Sequence, residues 1–338
     1  PSTLHRWQRE ALGKGNCAPE FAESDDLVQC AVDGVDLWML PRFEEDVIDD
    51  DGTLVTYRTD RGIVERAPKS RDATTMPEHL EYPVKTRADW ERLKKRFDAS
   101  DPLRIPSDWL YRCERWREEQ PILVFQGARC PSLFGFVREL LGPERTLYWF
   151  YDEPTILHDM MECYTQFILG ILPKVLATAP LTSVFFWEDM CYKTGPLVSP
   201  NMFREFMTPR YKRITDLLRS SGIDVVFVDS DGDVSELIPL WIEAGINGVY
   251  PMEVTAGMDV VKLRRQYGRD LLMAGGIDKR ALARGPEAID DELKAKLPLA
   301  EEGGYLPHLD HAVPHDVSYE AFAYYWKKKK EFLGITPE

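Results

Sequence analysis

The feature that most constrains this chain is an alternation of short apolar runs with amphipathic stretches, which begins near residue 120. Short apolar runs bounded by turn residues are typical of buried strands, and strands that alternate with helices usually pair in parallel. Repeated βα units predict an α/β fold, here a (β/α)8 barrel of the TIM type. We predict strands over residues 35–40, 121–126, 183–187, 224–228, 248–254, 271–274 and 304–309.

Helix start and stop signals fall between these strands. Ser199 followed by Pro200 predicts a helix that stops near Gly222. Asp259 predicts the start of a shorter helix, and Ser318 the start of the last one. The order of predicted elements is therefore that of a barrel.

Seven predicted strands are one short of a closed barrel. The chain starts at Pro1, directly in a predicted helix over residues 1–12. Two explanations remain open: the first strand precedes this chain, or the barrel is irregular. In both cases we expect one barrel domain over residues 1–338.

The segment 43–106 does not alternate like the rest of the chain. Residues 49–52 read Asp-Asp-Asp-Gly, a turn signal, and the runs 54–57 and 62–65 predict an antiparallel ribbon. We interpret the segment as a ribbon and helix inserted over one end of the barrel. It either shapes the substrate pocket or is a structural flap.

Charge and composition exclude several classes of protein. The formal net charge of −15 predicts an anionic surface that repels nucleic acid and anionic lipid. No apolar stretch approaches the roughly 20 residues of a membrane helix, and the start of the chain lacks a signal-peptide pattern. The six cysteines lack the spacing of a zinc ribbon and are interpreted as reduced thiols. We expect a cytoplasmic protein.

Acids and histidines follow five successive predicted strands. In a parallel barrel the carboxyl ends of the strands converge on one mouth, where catalytic groups collect. Such a set could bind a divalent cation, or it could act without metal as general acid and base. The residue pattern leaves both alternatives open. The residues in question are Glu188, Asp229, Asp231, Glu253, Asp278, His308 and His311.

Several motifs together resemble those of the uroporphyrinogen decarboxylase superfamily. They are the Asp-Ser-Asp-Gly-Asp stretch at 229–233 before a helix that ends in Glu-Ala-Gly-Ile-Asn-Gly, Gly-Gly-Ile-Asp-Lys at 275–279, His-Leu-Asp-His-Ala-Val-Pro at 308–314, and Gly-Pro-Leu-Val-Ser-Pro at 195–200. The resemblance extends from about residue 35 to residue 334. It implies a barrel enzyme with its site at the mouth.

The sequence departs from both well-known branches of this superfamily. The Arg-Gln-Ala-Gly-Arg-Tyr stretch of the decarboxylase is absent, and Asp36 lies in Val-Asp-Leu-Trp rather than in Phe-Ser-Asp-Ile. The related methyltransferases hold zinc with His-x-Cys and a later Cys. Asp229 and Asp231 stand at the corresponding positions here, with His311 near the later ligand. The resemblance thus implies a more oxygen-rich site.

The resemblance implies a methyltransferase that moves a methyl group from a small donor, such as a methoxylated aromatic, to cobalamin on a partner corrinoid protein. Zinc or another divalent metal would be held by Glu188, Asp231 and His311, which are also the candidate catalytic residues. The resemblance also implies a homodimer. Candidate substrate-binding residues are Arg129, Tyr192, Lys193, Asp229, Glu253 and His308.

Two alternatives remain open. One is a metal-independent decarboxylase of uroporphyrinogen or another acidic substrate, which requires a cluster of arginines facing the pocket. The other is a non-catalytic binding protein on the same fold. The candidate arginines are Arg42, Arg58, Arg61 and Arg129.

Overall fold

The computed structural model describes residues 3, 6–7, 32, 34–69, 76–126 and 131–335. Of the predicted helix over residues 1–12, only Thr3, Arg6 and Trp7 are described, and all three are helical. The Trp7 indole N–H donates a hydrogen bond to the Val317 carbonyl at 3.0 Å. Trp7 thus contacts the segment that precedes the last described helix. The single domain over residues 1–338 stays a prediction.

A parallel sheet of six strands forms the centre of the protein, in the order β12-β11-β10-β9-β6-β5. Six of the seven predicted parallel strands are confirmed, and β6 has the predicted bounds. Within the described residues the sheet does not close into a barrel. The strands in chain order are β1 Asp46–Asp50, β2 Leu54–Arg58, β3 Val64–Pro68, β4 Glu78–Glu81, β5 Val124–Phe125, β6 Ser183–Trp187, β7 Cys191–Tyr192, β8 Gly195–Pro196, β9 Val225–Asp229, β10 Gly248–Met252, β11 Leu272–Ile277 and β12 Tyr305–Leu309.

The predicted strand over residues 35–40 is wrong. Its backbone N–H groups at Asp36 and Leu40 donate to the carbonyls of Arg104 and Arg96. Arg104 ends a short 3-10 helix and Arg96 lies in a turn, so neither belongs to a neighbouring strand. Three consecutive side chains of this segment, residues 37–39, are buried. The apolar run therefore reflects an irregular segment buried in the core and not a strand of the sheet.

A second sheet, separate from the first, has four antiparallel strands in the order β1-β2-β3-β4. The two runs predicted as a ribbon lie in β2 and around the start of β3, which pair from Leu54↔Pro68 to Arg58↔Val64. Arg61, in the turn between them, forms a 2.8 Å ion pair with Glu139 beside the parallel sheet. That this sheet is an insertion which covers the barrel mouth stays a prediction.

Helices pack on the outer side of the parallel sheet and close the main core. The predicted helix starts are confirmed, because the side chains of Ser199, Asp259 and Ser318 accept hydrogen bonds from backbone N–H groups of the first turn. Between α6 and α7 the chain is a π-helical segment, Phe203–Met207. Among the described helices, none combines the length and the apolar character that a membrane span requires. The helices are α1 Arg87–Lys94, α2 Trp109–Glu119, α3 Phe134–Leu141, α4 Pro143–Asp152, α5 Pro154–Leu176, α6 Pro200–Met202, α7 Thr208–Ser220, α8 Ile238–Glu243, α9 Val260–Tyr267, α10 Lys279–Arg284, α11 Pro286–Lys296, α12 Pro298–Glu301 and α13 Tyr319–Phe332.

Candidate active site

The inner face of the parallel sheet is the face turned away from the main helical core. Phe185 and Phe227 are cross-strand partners and form a small cluster of their own on this face. Because side chains alternate along a strand, Asp229 lies on the same face as Phe227. Tyr250 pairs with Asp229 and packs against this cluster, and its ring lies 5.1 Å from that of His308. Asp229, Tyr250 and His308 therefore share the inner face near the carboxyl-terminal edge of the parallel sheet, which we call the mouth.

Asp231 and His311 form the ion pair of the site. Each follows a strand by two residues, Asp231 after β9 and His311 after β12. His311 Nε2 lies 3.5 Å from Asp231 Oδ2, and the side chains are 46% and 42% exposed, so both can reach a substrate. A hydrogen bond that His311 donates to Asp231 raises the pKa of His311 above its ordinary value, although burial and Lys279 oppose the shift. The pair favours an imidazolium at the mouth.

Asp229 lies deeper than this pair. Burial raises its pKa well above the ordinary value for an aspartate, and the carboxylates of Asp231 and Asp189 raise it further. His311 opposes the shift. A carboxyl group in this position is disposed to hold its proton and to donate a hydrogen bond to a neutral oxygen.

Asp310 connects the loops that carry the site, a role that the sequence analysis missed. Its side chain is fully buried, and its two oxygens accept hydrogen bonds from the backbone N–H groups of Val254 at 3.0 Å and Lys279 at 3.1 Å. These residues follow β10 and β11, so one carboxylate joins three successive strand ends. The available signal was an aspartate placed directly before His311 at the end of an apolar strand.

Glu253 and His308 are both engaged with the backbone. Glu253 accepts hydrogen bonds from the Gly232 N–H at 2.9 Å and from the Thr255 hydroxyl at 2.6 Å. The Nδ1 atom of His308 lies 2.7 Å from the Leu309 carbonyl, and the side chain is buried. Glu253 thus positions the loop of Asp231, while His308 forms part of the inner wall.

Glu188 does not lie with Asp231 and His311, and its role as a metal ligand stays a prediction. Its oxygens accept hydrogen bonds from the backbone N–H groups of Leu133 at 2.6 Å and Gly135 at 2.9 Å, at the start of α3. The side chain is fully buried, and burial raises its pKa to about 7. A carboxylate at this end of a helix satisfies its first N–H groups, so Glu188 positions α3.

Asp189 is held in an uncommon conformation beside Glu188. Its φ of 43° lies in the left-handed region, which residues other than glycine rarely adopt. The Arg138 guanidinium donates to the Asp189 carboxylate at 2.8 Å and lies 4.8 Å from the centre of the Trp187 ring. Strained backbone persists where surrounding contacts enforce it, often at functional sites. Sequence reasoning did not identify Arg138.

Tyr192 and Lys193 lie in the hairpin β7–β8, at the rim of the mouth. The Tyr192 side chain is 60% exposed. Its carbonyl accepts a 3.0 Å hydrogen bond from the Asp233 N–H, which joins the hairpin to the loop of Asp231. Arg129, the remaining predicted substrate-binding residue, lies outside the described residues.

Comparison with known proteins identifies the family. The uroporphyrinogen decarboxylase (URO-D) family model matches residues 71–332, more than three quarters of the chain. The chain belongs to the URO-D family. A uroporphyrinogen decarboxylase from Hordeum vulgare is 22% identical over 183 residues, 53% of this chain and 52% of the relative. One from Pelodictyon phaeoclathratiforme is 23% identical over 251 residues, 71% of this chain and 68% of the relative.

The match to the plant members of the URO-D family spans about half of their length or less. Among solved structures, a methyltransferase from Methanosarcina mazei superposes with a TM-score of 0.53 at 17% identity, over 81% of this chain and 76% of that one. At this identity the likeness shows the fold. It agrees with the parallel sheet and flanking helices described above.

The zinc expected from the resemblance does not fit the described residues. Within residues 34–69, 76–126 and 131–335, no three histidine, cysteine or acidic side chains are grouped so that they could hold a metal ion. Asp231 and His311 face each other, and the oxygens of Glu188 are occupied by backbone N–H groups. A structural or catalytic zinc needs three or four protein ligands. A bound metal stays a prediction, and no step below depends on it.

Proposed function

We propose that this protein is a methyltransferase that moves a methyl group from a small donor with an oxygen leaving group, such as a methoxylated aromatic, to cobalamin carried by a partner corrinoid protein. The observation that carries the proposal is the Asp231–His311 pair, half-exposed at the mouth. Cleavage of a methyl ether leaves an alkoxide or phenoxide, which requires a proton. An imidazolium stabilised by a carboxylate is suited to supply it.

The roles of the site residues follow from their positions. Nε2 of His311 faces Asp231, which leaves Nδ1 to donate the proton to the leaving oxygen. The protonated carboxyl group of Asp229 donates a hydrogen bond to a second oxygen of the donor, and Tyr250 and His308 form the wall against which the ring lies. Tyr192 and Lys193 orient the donor from the rim, and Arg129 stays a candidate substrate-binding residue. Bound cobalamin would supply the nucleophile that accepts the methyl group.

Decarboxylation is the second candidate, because the curated relatives are uroporphyrinogen decarboxylases. It requires unpaired arginines that bind the substrate carboxylates. Three of the four candidates instead face acids: Arg42 lies 2.9 Å from Asp36, Arg58 lies 3.3 Å from Asp46 and Arg61 lies 2.8 Å from Glu139. An acidic mouth also disfavours a polycarboxylate. These contacts favour methyl transfer.

The direct test incubates the purified protein with reduced cobalamin and a panel of methoxylated aromatics, with demethylated product measured by chromatography. Uroporphyrinogen and simpler pyrrolic carboxylates are assayed in parallel for release of carbon dioxide. We expect demethylation, reduced about 10²- to 10⁴-fold in His311→Asn. Carbon dioxide release without demethylation would contradict the proposal.

The pH profile tests the role of Asp231. Because the protonated form of His311 is the active one, kcat should fall as pH rises through its raised pKa. Asp231→Asn removes the largest cause of that raised pKa, so the alkaline limb should move to lower pH. Lys279→Met removes an opposing charge and should move the limb to higher pH. An alkaline limb that is the same in all three proteins would refute the assignment.

A further inference from the structure

An open pocket of about 550 Å³ lies away from the parallel sheet, between strand β4 of the antiparallel sheet and helix α4. Its volume is within the range of small-molecule sites, roughly 300–1,000 Å³. Its lining includes neither Asp231 nor His311. We call it the α4 pocket, because Pro143–Asp152 supplies most of its wall.

One face of α4 presents acids and an aromatic ring to this pocket. Glu144, Tyr148 and Asp152 are spaced four residues apart and therefore lie on the same side of the helix. Tyr148 is 60% exposed, although its ring is large and apolar. In the described part of the chain, neither Glu144 nor Asp152 lies in an ion pair. This face thus offers two carboxylates and an exposed ring to whatever occupies the pocket.

The lining of the pocket also includes further aromatic and apolar side chains. Tyr82 and the buried Trp149 line the pocket, together with Leu80, Leu141 and Pro143. Organic cations bind over the faces of tyrosine and tryptophan rings, more strongly where water is excluded. The rings and the carboxylates therefore favour the same class of ligand.

The cationic groups of the pocket are committed to other partners. His79 lies 3.2 Å from Glu65 and 3.1 Å from the Tyr82 hydroxyl. Arg145 donates to the carbonyls of Val84 at 3.2 Å and Leu141 at 3.0 Å, and Leu141 is the last residue of α3, where the helix dipole is negative. Apart from His79, the lining contains two carboxylates and one guanidinium, so acids outnumber permanent cations.

We propose that the α4 pocket binds an organic ammonium cation, of the alkylated type that combines a positive charge with apolar groups. The ammonium group lies between Glu144 and Asp152, against the ring of Tyr148, and an alkyl group extends over Leu80 and Leu141. This site is separate from the mouth, so the proposal does not depend on the methyltransferase activity.

Isothermal titration calorimetry tests the proposal, with tetramethylammonium and hexyltrimethylammonium chloride titrated into the full chain at constant ionic strength. We expect saturable binding of one cation per chain. The hexyl compound should bind more tightly, by about fourfold for each methylene that becomes buried. Tyr148→Ala should weaken binding roughly 2- to 5-fold.

Control variants on helix α2 distinguish a specific cation site from general attraction of cations to an anionic protein. Glu144→Gln with Asp152→Asn should abolish saturation, whereas Glu114→Gln with Glu118→Gln, the same change in charge, should leave binding intact. Tyr111→Ala, which removes another exposed ring, is the control for Tyr148→Ala. The proposal is overturned if no saturable heat of binding is measured, or if both double variants lose the same amount of affinity for the cation. It is also overturned if the single change Asp231→Asn abolishes binding.

Discussion

Replacing the buried carboxylate of Glu188 should destabilise the protein strongly. Glu188→Ala removes the acceptors for the backbone N–H groups of Leu133 and Gly135. A buried N–H without a partner costs about 1–3 kcal/mol. The two together cost roughly 2–6 kcal/mol, and the cavity adds to this. Glu188→Gln retains one acceptor oxygen and the volume, so its cost should be about half as large.

The same residue predicts a dependence of stability on pH. Burial raises the pKa of Glu188 to about 7, although backbone N–H groups oppose the shift. Because the pKa in the folded state is the higher one, this contribution to stability is complete below the unfolded-state pKa of 4.5 and is lost as pH rises through about 7. The loss is at most about 3 kcal/mol. Glu188→Gln cannot titrate and should not show it.

Urea denaturation followed by tryptophan fluorescence at pH 5 and pH 8 measures both effects. The free energy of unfolding of the natural protein should decrease relative to that of Glu188→Gln between the two pH values. The reasoning fails if the free energy of unfolding of Glu188→Ala lies within about 1 kcal/mol of that of the natural protein. It also fails if the difference in free energy of unfolding between the natural protein and Glu188→Gln is the same at both pH values.

The remaining predictions concern the residues that hold the site in place. Asp310→Ala should increase the rate of hydrogen exchange at the Val254 and Lys279 amides at least about tenfold, because both amides lose their acceptor. Asp310→Asn should have a smaller effect. Unchanged exchange rates would exclude the connecting role of Asp310. Arg138→Ala should lower kcat more than it changes KM, because Arg138 holds Asp189 in its strained conformation. Arg138→Lys should retain part of the kcat that Arg138→Ala loses. A change in KM alone would contradict this positioning role. Gly245→Ala should destabilise by about 1–3 kcal/mol more than Gly222→Ala in thermal unfolding. Both glycines have φ near +85°, but of the two only Gly245 would place a Cβ 2.4 Å from a neighbouring oxygen, that of Thr215. Equal losses of stability in the two variants would contradict this steric argument.

The parallel sheet could be predicted from sequence because each of its strands is a short apolar run between helix signals. Residues 183–187 illustrate this, since predicted and observed bounds coincide. The run 35–40 has the same composition but is buried without strand pairing, a distinction that only its hydrogen-bond partners reveal. Composition reports burial in both cases, while pairing depends on the rest of the fold.

The candidate site was predicted in part for a related reason. Asp231 and His311 lie beyond the ends of their strands, in loops that converge on the mouth. Glu188 also follows a strand, but its side chain turns to the start of α3. An alternation of polar and apolar side chains along β6 would have indicated the direction of the Glu188 side chain. Residues 183–187 show no such alternation, because they are largely buried on both faces of the sheet. The sequence therefore indicates which strand ends carry acids, but not where each acid points.

The central claim, that His311 protonates the leaving oxygen during methyl transfer, is tested most directly by the dependence of the rate on the leaving group. Single-turnover demethylation of substituted anisoles, from acidic nitrophenol leaving groups to weakly acidic alkylphenols, would be compared in the natural protein and in His311→Asn. Proton donation matters most for a poor leaving group. The account predicts that the loss in His311→Asn increases steadily as the leaving phenol becomes less acidic. A loss of the same size for every donor would contradict it.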